Sequence, residues 1–404
     1  MKILLSAYAC EPNKGSEPGV GWNWAIELAK LGHEVWVVTR ANNREPIEAE
    51  LVKVGRFENL HFLYYDLPEW GRCLKKIRGG IYPYYLAWQW GAYKLVEKVH
   101  AKERFDRVHH VTFVSIRQPS FMWRLGIPFI FGPVAGGESA PWRLRVGYPL
   151  RGWILDGLRD LANLLVRVDP LMRSTFKAAE RIYVTSEQTR NLVPAVFRHK
   201  THVQLAIGLE EKWLQSLSSD ASRCSRQGSE FRLLYVGRFL YWKGMHLGLP
   251  AFARFVENCS NARLTMVGQG PEEKKWRNLS ISLGVADKID WVPWVSQEGL
   301  REIYRSHDLF FFPSLHDSGG MVVLEAMAHG LPVVCLDLGG PGVMVNGECG
   351  YKAKGGDTAT VTVAELAQGL LTFSAGGAGS GDTNSQLEEF AHKGLCRMIH
   401  HVSV

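Results

Sequence analysis

The sequence predicts an α/β protein built of two Rossmann-like, doubly wound parallel-sheet units. Three observations carry that reading. Short apolar runs rich in β-branched and aromatic residues alternate with helical stretches in both halves of the 404-residue chain. Glycine-rich turns follow many of those runs. Residues 215–229, made of Ser, Asp, Arg, Gln and Gly without periodicity, separate the halves. The expected organisation is a first unit over 1–208, a linker over 209–230, a second unit over 231–375 and an atypical tail over 376–404. A ligand would sit in the cleft between two such units, outside the carboxyl ends of their strands.

Taken in order, Lys2 to Tyr8 is a short buried strand, and a loop rich in Gly, Pro and Ser runs from Cys10 to Gly21. Trp22 to Leu31 reads as a helix, Gly32-His33 as its stop, and Glu34 to Thr39 as the second strand. A dinucleotide fingerprint fails twice here. Trp24 stands where the third glycine belongs, and the second strand ends in Thr39-Arg40 without a ribose-binding acid. No phosphate-binding G-x-x-x-x-G-K-[ST] loop occurs anywhere. Aromatic residues crowd 60–100, and the basic cluster Arg72, Lys75, Lys76 and Arg78 lies just before the densest part. Asp106 to Phe113 is a strand whose His109-His110 pair would lie at its carboxyl end, as core or as site residues. Pro128 to Pro133 is the next, opening into Val134-Ala135-Gly136-Gly137-Glu138, where two glycines imply close backbone approach. An irregular and then helical stretch spans 142–179, a helix spans 187–196, and strands lie at 181–185 and 201–208.

The second half is more regular. Strands at 231–236, 263–267 and 289–292 alternate with helices ending near Val256, Leu283 and Ser306. Then comes FFFPSLHDSGGMVVLEAMAHGLPVVCLDLGGP over 310–341. Three Phe ended by Pro313 form a buried strand. Asp317-Ser318-Gly319-Gly320 is a turn, Met321 to His329 a helix, Gly330 its C′ residue, Val333 to Leu336 a strand, and Gly339-Gly340-Pro341 a further turn. Gly319 and Gly320 would let helix-start amides, those of Met321 and Val322, approach a phosphate. Asp317 must act from the turn and Glu325 from inside the helix, where an apolar setting favours a hydroxyl partner. Arg238 and Lys243 both follow a strand's carboxyl end. With the glycine turns at Gly268–Gly270 and 318–320 they form a diphosphate clamp, each charged hydrogen bond contributing about 1.5–3 kcal/mol.

Composition excludes some classes. Seven scattered Cys with no C-x-x-C argue for reduced thiols, against a zinc site and against a disulfide framework. No apolar run approaches transmembrane length, and Leu4 to Cys10 is better explained as a strand than as a signal. A net charge of +7 suits an anionic ligand or an acidic membrane surface without choosing between them. No nucleic-acid partner is expected.

The runs LLYVGRFLYWKG (233–244), LTMVGQGP (264–271) and FFFPSLHDSGGMVVLEAMAHGLPVV (310–334), with Gly339-Gly340, resemble glycosyltransferase family 4. GHEV at 32–35 and the glycine loop after the first strand agree more loosely, and the likeness covers about residues 1–356. The resemblance implies a GT-B fold and transfer of a sugar from a nucleotide-diphosphate sugar with retention of anomeric configuration. The acceptor would be a glycan or lipid-linked molecule, in surface polysaccharide or glycolipid synthesis; the reduced thiols point to a cytoplasmic enzyme, and the basic, apolar stretch described below to a peripheral place on the membrane face. It further implies that Arg238 and Lys243 bind the donor diphosphate, Glu325 the ribose and Asp317 the transferred sugar. The loop Gly19-Val20-Gly21 would close over the phosphates. No enzyme nucleophile is needed if a phosphate oxygen takes the acceptor's proton, and no metal or other cofactor is expected. The sequence departs from the family in two places. A common His is replaced by Val134, for which Glu138 or His110 would substitute. The final family helix is replaced by SAGGAGSGDTNSQ and a short end. The alternatives are a catalytically silent nucleotide-sugar-binding or scaffold protein and a GT-B-like epimerase or hydrolase.

One helical stretch stands apart from this chemistry. From Trp153 to Val168 the polar residues Asp156, Arg159, Asp160, Asn163 and Arg167 share one stripe, and nearly everything else is apolar. Such a face is buried in protein or dipped into lipid. Flanking Arg143, Arg145, Arg151 and Arg173 suit an anionic interface, whereas the mixed signs of the stripe suit packing within the domain.

Overall fold

A computed structural model describes residues 1–55, 57–77, 79–206, 230–293, 295–356 and 358–374. The expected linker, apart from Glu230, and the expected tail lie outside the described residues. The chain divides into two compact units, one within residues 1–137 and 161–206, the other within 138–160 and 230–374.

The first unit holds a seven-stranded sheet in the order β3-β2-β1-β4-β5-β6-β7, parallel throughout. Its strands are β1 (Lys2–Ala7), β2 (Glu34–Arg40), β3 (Leu60–Tyr65), β4 (Arg107–Thr112), β5 (Phe129–Val134), β6 (Arg181–Val184) and β7 (Thr201–Val203). Both faces are covered, which is why β4 and β5 read as unbroken buried runs. The two-residue period of β1 sends Ile3 and Leu5 into a core with Trp24, Ala25 and Leu28 of the helix Ser16–Lys30. Leu4 goes to the opposite core, with Tyr84, Tyr85 and Trp88 of the helix Ile81–Glu103. The aromatic crowding at 60–100 is thus largely core.

Two expectations for this unit need correction. The first helix begins at Ser16 and not Trp22, so Gly19 and Gly21 are helical. Pro18 fits a first helical turn, whose amide has no intrahelical partner. A Cβ on Gly19 would lie 2.1 Å from the Lys14 carbonyl oxygen, and one on Gly21 2.1 Å from that of Ala9. Close approach of the helix to the preceding chain therefore accounts for both glycines. His109 and His110 lie within β4 and not at its end, because the strand continues to Thr112.

The second unit holds a six-stranded parallel sheet in the order β10-β9-β8-β11-β12-β13. The strands are β8 (Phe231–Val236), β9 (Ala262–Val267), β10 (Ile289–Val292), β11 (Leu309–Phe312), β12 (Val333–Leu336) and β13 (Gly350–Ala353). Strand order reverses between β8 and β11, so the crevice outside their carboxyl ends is where this architecture binds ligands. Residues 138–160 pack into this unit. Arg145 pairs with Asp160 at 2.6 Å, and a ring nitrogen of His246 lies 2.9 Å from the Leu144 carbonyl oxygen. The expected turn at 339–341 is instead the first turn of a six-residue helix, Gly339–Met344.

Candidate active site

The site grows from two loops that meet beside the switch point. After β8 the chain makes a short 3-10 turn, Tyr241–Lys243, and reaches Gly244 at φ +75°. A Cβ at Gly244 would lie 1.8 Å from the Pro313 carbonyl oxygen, so glycine lets this loop lie against the one after β11. The Leu315 amide donates to the Trp242 carbonyl at 2.8 Å and closes the contact. Lys243 is thereby delivered to Asp317, and its ammonium donates to the Asp317 carboxylate. The Ser314 hydroxyl donates to the same carboxylate oxygen at 3.2 Å, and the ammonium lies 4.9 Å from the centre of the Phe312 ring. Two residues that the sequence assigns to separate tasks are therefore one ion pair.

Arg238, on the same loop, is exposed, and its side chain has no ion pair among the described residues. Gly268 and Gly270 do not stand open beside it. A Cβ on Gly268 would be 2.1 Å from the Gly237 carbonyl oxygen, and one on Gly270 would be 2.4 Å from that of Phe239. The Phe239 amide also donates to Gln269 at 3.0 Å. These glycines join the β8 and β9 loops backbone to backbone and set where Arg238 starts.

Gly320 caps the helix Met321–Ala328 with φ +68° and no side-chain hydrogen bond. The first amides of that helix, at Met321 and Val322, have no intrahelical acceptor and carry its partial positive charge. The turn before it is braced from behind. The Gly340 amide donates to the Asp317 carbonyl at 2.7 Å, and a Cβ on Gly339 (φ +59°) would lie 2.2 Å from the same oxygen. One helical turn beyond Met321, Glu325 accepts from the Tyr304 hydroxyl at 3.1 Å. Burial raises its carboxyl pKa, and the Tyr304 hydrogen bond opposes this only in part. Asp317 on the turn and Glu325 inside the helix occupy the seats the sequence expects.

Sequence reasoning missed a second cluster at this turn. An Arg159 guanidinium nitrogen lies 3.0 and 3.2 Å from the two ring nitrogens of His316, whose ring stacks on Trp242 at 5.2 Å. Asp156 approaches the same ring at 3.8 Å and accepts from the Tyr241 hydroxyl at 3.3 Å. Burial first, then Arg159 and Lys243, lower the His316 pKa to about 3, so the ring is neutral and accepts from Arg159. Burial also raises the Asp156 carboxyl. Arg159 and His316 are 157 positions apart, and in the sequence Asp156 and Arg159 read only as a polar stripe. The one available signal was that Tyr241-Trp242 and His316 directly precede Lys243 and Asp317.

The remaining expected residues are placed as follows. His110 is fully buried in mid-β4, packed on Phe131 at 5.2 Å and held 3.4 Å from the Phe113 carbonyl oxygen. Burial takes its pKa down to about 4. Val134 is equally buried. Glu138 is buried and groups with the second unit. Gly19 and Gly21 are helical, as described above. Among the described residues no group of three His, Cys, Asp or Glu is arranged to hold a metal ion.

Known proteins are similar to this chain. A profile of the family "Glycosyl transferases group 1" matches residues 223–369. D-inositol 3-phosphate glycosyltransferase of Corynebacterium efficiens is 35% identical over 132 residues, 31% of each chain. Matches to the first curated relatives span only 29–31% of those relatives' own length. N-acetyl-alpha-D-glucosaminyl L-malate synthase of Bacillus anthracis is 34% identical over 372 residues, covering 89% of this chain and 86% of that one. The crystal structure of Anabaena HepE in complex with UDP and glucose superposes with a TM-score of 0.54 at 13% identity, covering 100% of this chain and 99% of that one. That likeness shows the fold, two Rossmann-like units of the GT-B type. The near full-length match at 34% identity, together with the profile match over 223–369, leads to one assignment: the chain belongs to the group 1 glycosyltransferases.

Proposed function

We propose that this glycosyltransferase takes its sugar from a nucleotide-diphosphate sugar and transfers it, with retention, to a glycan or lipid-linked acceptor at the cytoplasmic face of a membrane. The observation that carries the donor assignment is the composition of the β8–β11 crevice. An exposed Arg238, the Lys243–Asp317 pair, the open amino end of the helix Met321–Ala328 and Glu325 one turn along it all lie on the two loops and one helix that flank it. HepE, bound to UDP and glucose, shares the fold and supports a donor of this class. In this reading the diphosphate lies against the helix amides with Arg238 and Lys243 as its cations, Glu325 accepts from ribose hydroxyls, and Asp317 accepts from the sugar.

The chemistry follows from that placement. The bond from the anomeric carbon to the diphosphate breaks as the acceptor oxygen bonds to the same face. The acceptor's proton passes to a phosphate oxygen. Arg238, Lys243 and the helix amides stabilise the charge that grows on the leaving diphosphate, so no protein nucleophile and no metal is required. Arg159, beside the Asp317 turn through neutral His316, is a further donor that could orient the sugar. The test is to incubate the protein with UDP-, GDP- and ADP-sugars, with and without EDTA, and follow nucleoside diphosphate release and the anomeric proton of the sugar by NMR. Release unaffected by EDTA, giving first the α-anomer from an α-linked donor, supports the reading. Tight donor binding with no release against any acceptor would mean a silent binding protein.

A further inference from the structure

The helix Leu150–Leu165 is built inside out. Its polar residues point inward: Asp156 and Asn163 are 3% and 4% exposed, and Asn163 accepts from Arg117 at 2.7 Å. Its large apolar residues point out: Leu150, Trp153, Ile154, Leu158, Leu161 and Leu165 are each 39–77% exposed. The chain just before it presents Trp142 and Val146 in the same way, at 66% and 61%. A helix in water normally buries this face, and a contiguous apolar surface of this kind marks an interaction site.

We infer that this face rests on an anionic lipid surface, with the helix lying in the plane of the interface. Charge selects that occupant. Exposed cations border the face at Arg143, Arg151 and Arg167. The acids of the segment are turned away: Asp156 is buried, and Asp160 is paired with Arg145 at 2.6 Å. A second copy of this chain would set the same arginines against one another, which disfavours self-association, whereas anionic headgroups neutralise them. The exposed indoles of Trp142 and Trp153 suit the headgroup level. Among the described residues no helix is long and apolar enough to cross a membrane, so the helix lies on the bilayer and does not span it. This rests on the membrane-face part of the proposed function and names the surface that meets the lipid, and it does not depend on the donor chemistry.

The test is sedimentation of the full chain with vesicles of phosphatidylcholine alone or with 30% phosphatidylglycerol, at low and moderate salt, with no donor present. The wild-type chain should pellet with the anionic vesicles, less so as salt rises. Arg151→Gln should lower the partition coefficient about fivefold at low salt. Ile154→Glu with Leu161→Glu places two charges on positions already exposed to water, so the fold should hold by circular dichroism while vesicle binding falls by roughly a hundredfold. Binding unchanged in the double variant would overturn the inference. So would absence of binding, or binding that ignores the anionic lipid; a dimer in sedimentation velocity that the double variant dissolves would then assign the face to a second copy. Nucleotide thermal shifts, measured on the same samples, report separately on the donor site.

Discussion

Removing the two cations of the β8 loop one at a time should give different results, because they are seated differently. Arg238→Ala deletes an exposed guanidinium without an ion pair among the described residues, so stability should stay within about 0.5 kcal/mol of wild type. Lys243→Ala leaves the Asp317 carboxylate without its cation. The side chains of that pair are 14% and 22% exposed, between the fully buried and the surface case. One-sided removal costs about 3–5 kcal/mol for buried pairs and a surface pair contributes about 0–1, so a loss of ~2 kcal/mol is expected here. Both variants should bind nucleoside diphosphate roughly ten- to hundredfold more weakly, the equivalent of about 1.5–3 kcal/mol per charged contact. Urea unfolding and titration calorimetry read the two effects separately. Lys243→Ala combined with Asp317→Asn should regain most of the lost stability without regaining affinity, because no unpaired carboxylate remains. If Lys243→Ala is as stable as Arg238→Ala, the ion pair does not hold the turn; if either keeps wild-type affinity, that cation does not bind the diphosphate.

Four further outcomes follow from burial and backbone geometry. Glu325 is held above its ordinary value of 4.5 by burial, so as pH rises the unfolded chain ionises first and stability falls above 4.5. Glu325→Gln should therefore melt no lower than wild type at pH 7, lose any advantage below pH 4.5, and still bind nucleoside diphosphate more weakly; a marked drop in Tm at pH 7 would contradict this. Burial lowers His109, His110, His246 and His316 to about 3, 4, 4 and 3 from 6.5. As pH falls below 6.5 only the unfolded chain takes up these protons, so each ring should remove up to about 1.4 kcal/mol of stability per pH unit between 6.5 and 4, and a Tm unchanged from pH 7 to 5 by calorimetry would refute it. Gly339→Ala combines φ +59° with a Cβ 2.2 Å from the Asp317 carbonyl, and should cost more than ~2 kcal/mol and weaken nucleotide binding. Gly157→Ala, in a helix with nothing within 4 Å, should instead stabilise by about 0.5–1 kcal/mol in the same unfolding assay.

What could be read from the chain divides along physical lines. The second unit was legible nearly strand by strand because its central strands β11 and β12 are buried throughout, and strands end at Gly or Pro, as at Phe312-Pro313 and Val267-Gly268. The separate seats of Asp317 and Glu325 followed from local spacing alone. Contacts between distant segments were not legible. Spacing cannot show that Lys243 reaches Asp317, or that Arg159 reaches His316 across 157 positions. Glycines were ambiguous for a related reason: Gly268, Gly270, Gly19 and Gly21 each admit a neighbouring carbonyl of the chain itself, and a sequence does not say whether backbone or phosphate is the close neighbour. Periodicity found the apolar face of the helix at 150–165 but could not tell that its polar stripe is the buried side.

The most direct test of the donor site is hydrogen–deuterium exchange on the full chain, with and without the nucleoside diphosphate that gives the largest thermal shift. The account predicts slowed exchange confined to the loop 237–244 and to 317–325, with the Met321 and Val322 amides affected most. Protection that leaves 317–325 unchanged while appearing on other loops would show that the nucleotide binds elsewhere and that the β8–β11 crevice is not the donor site.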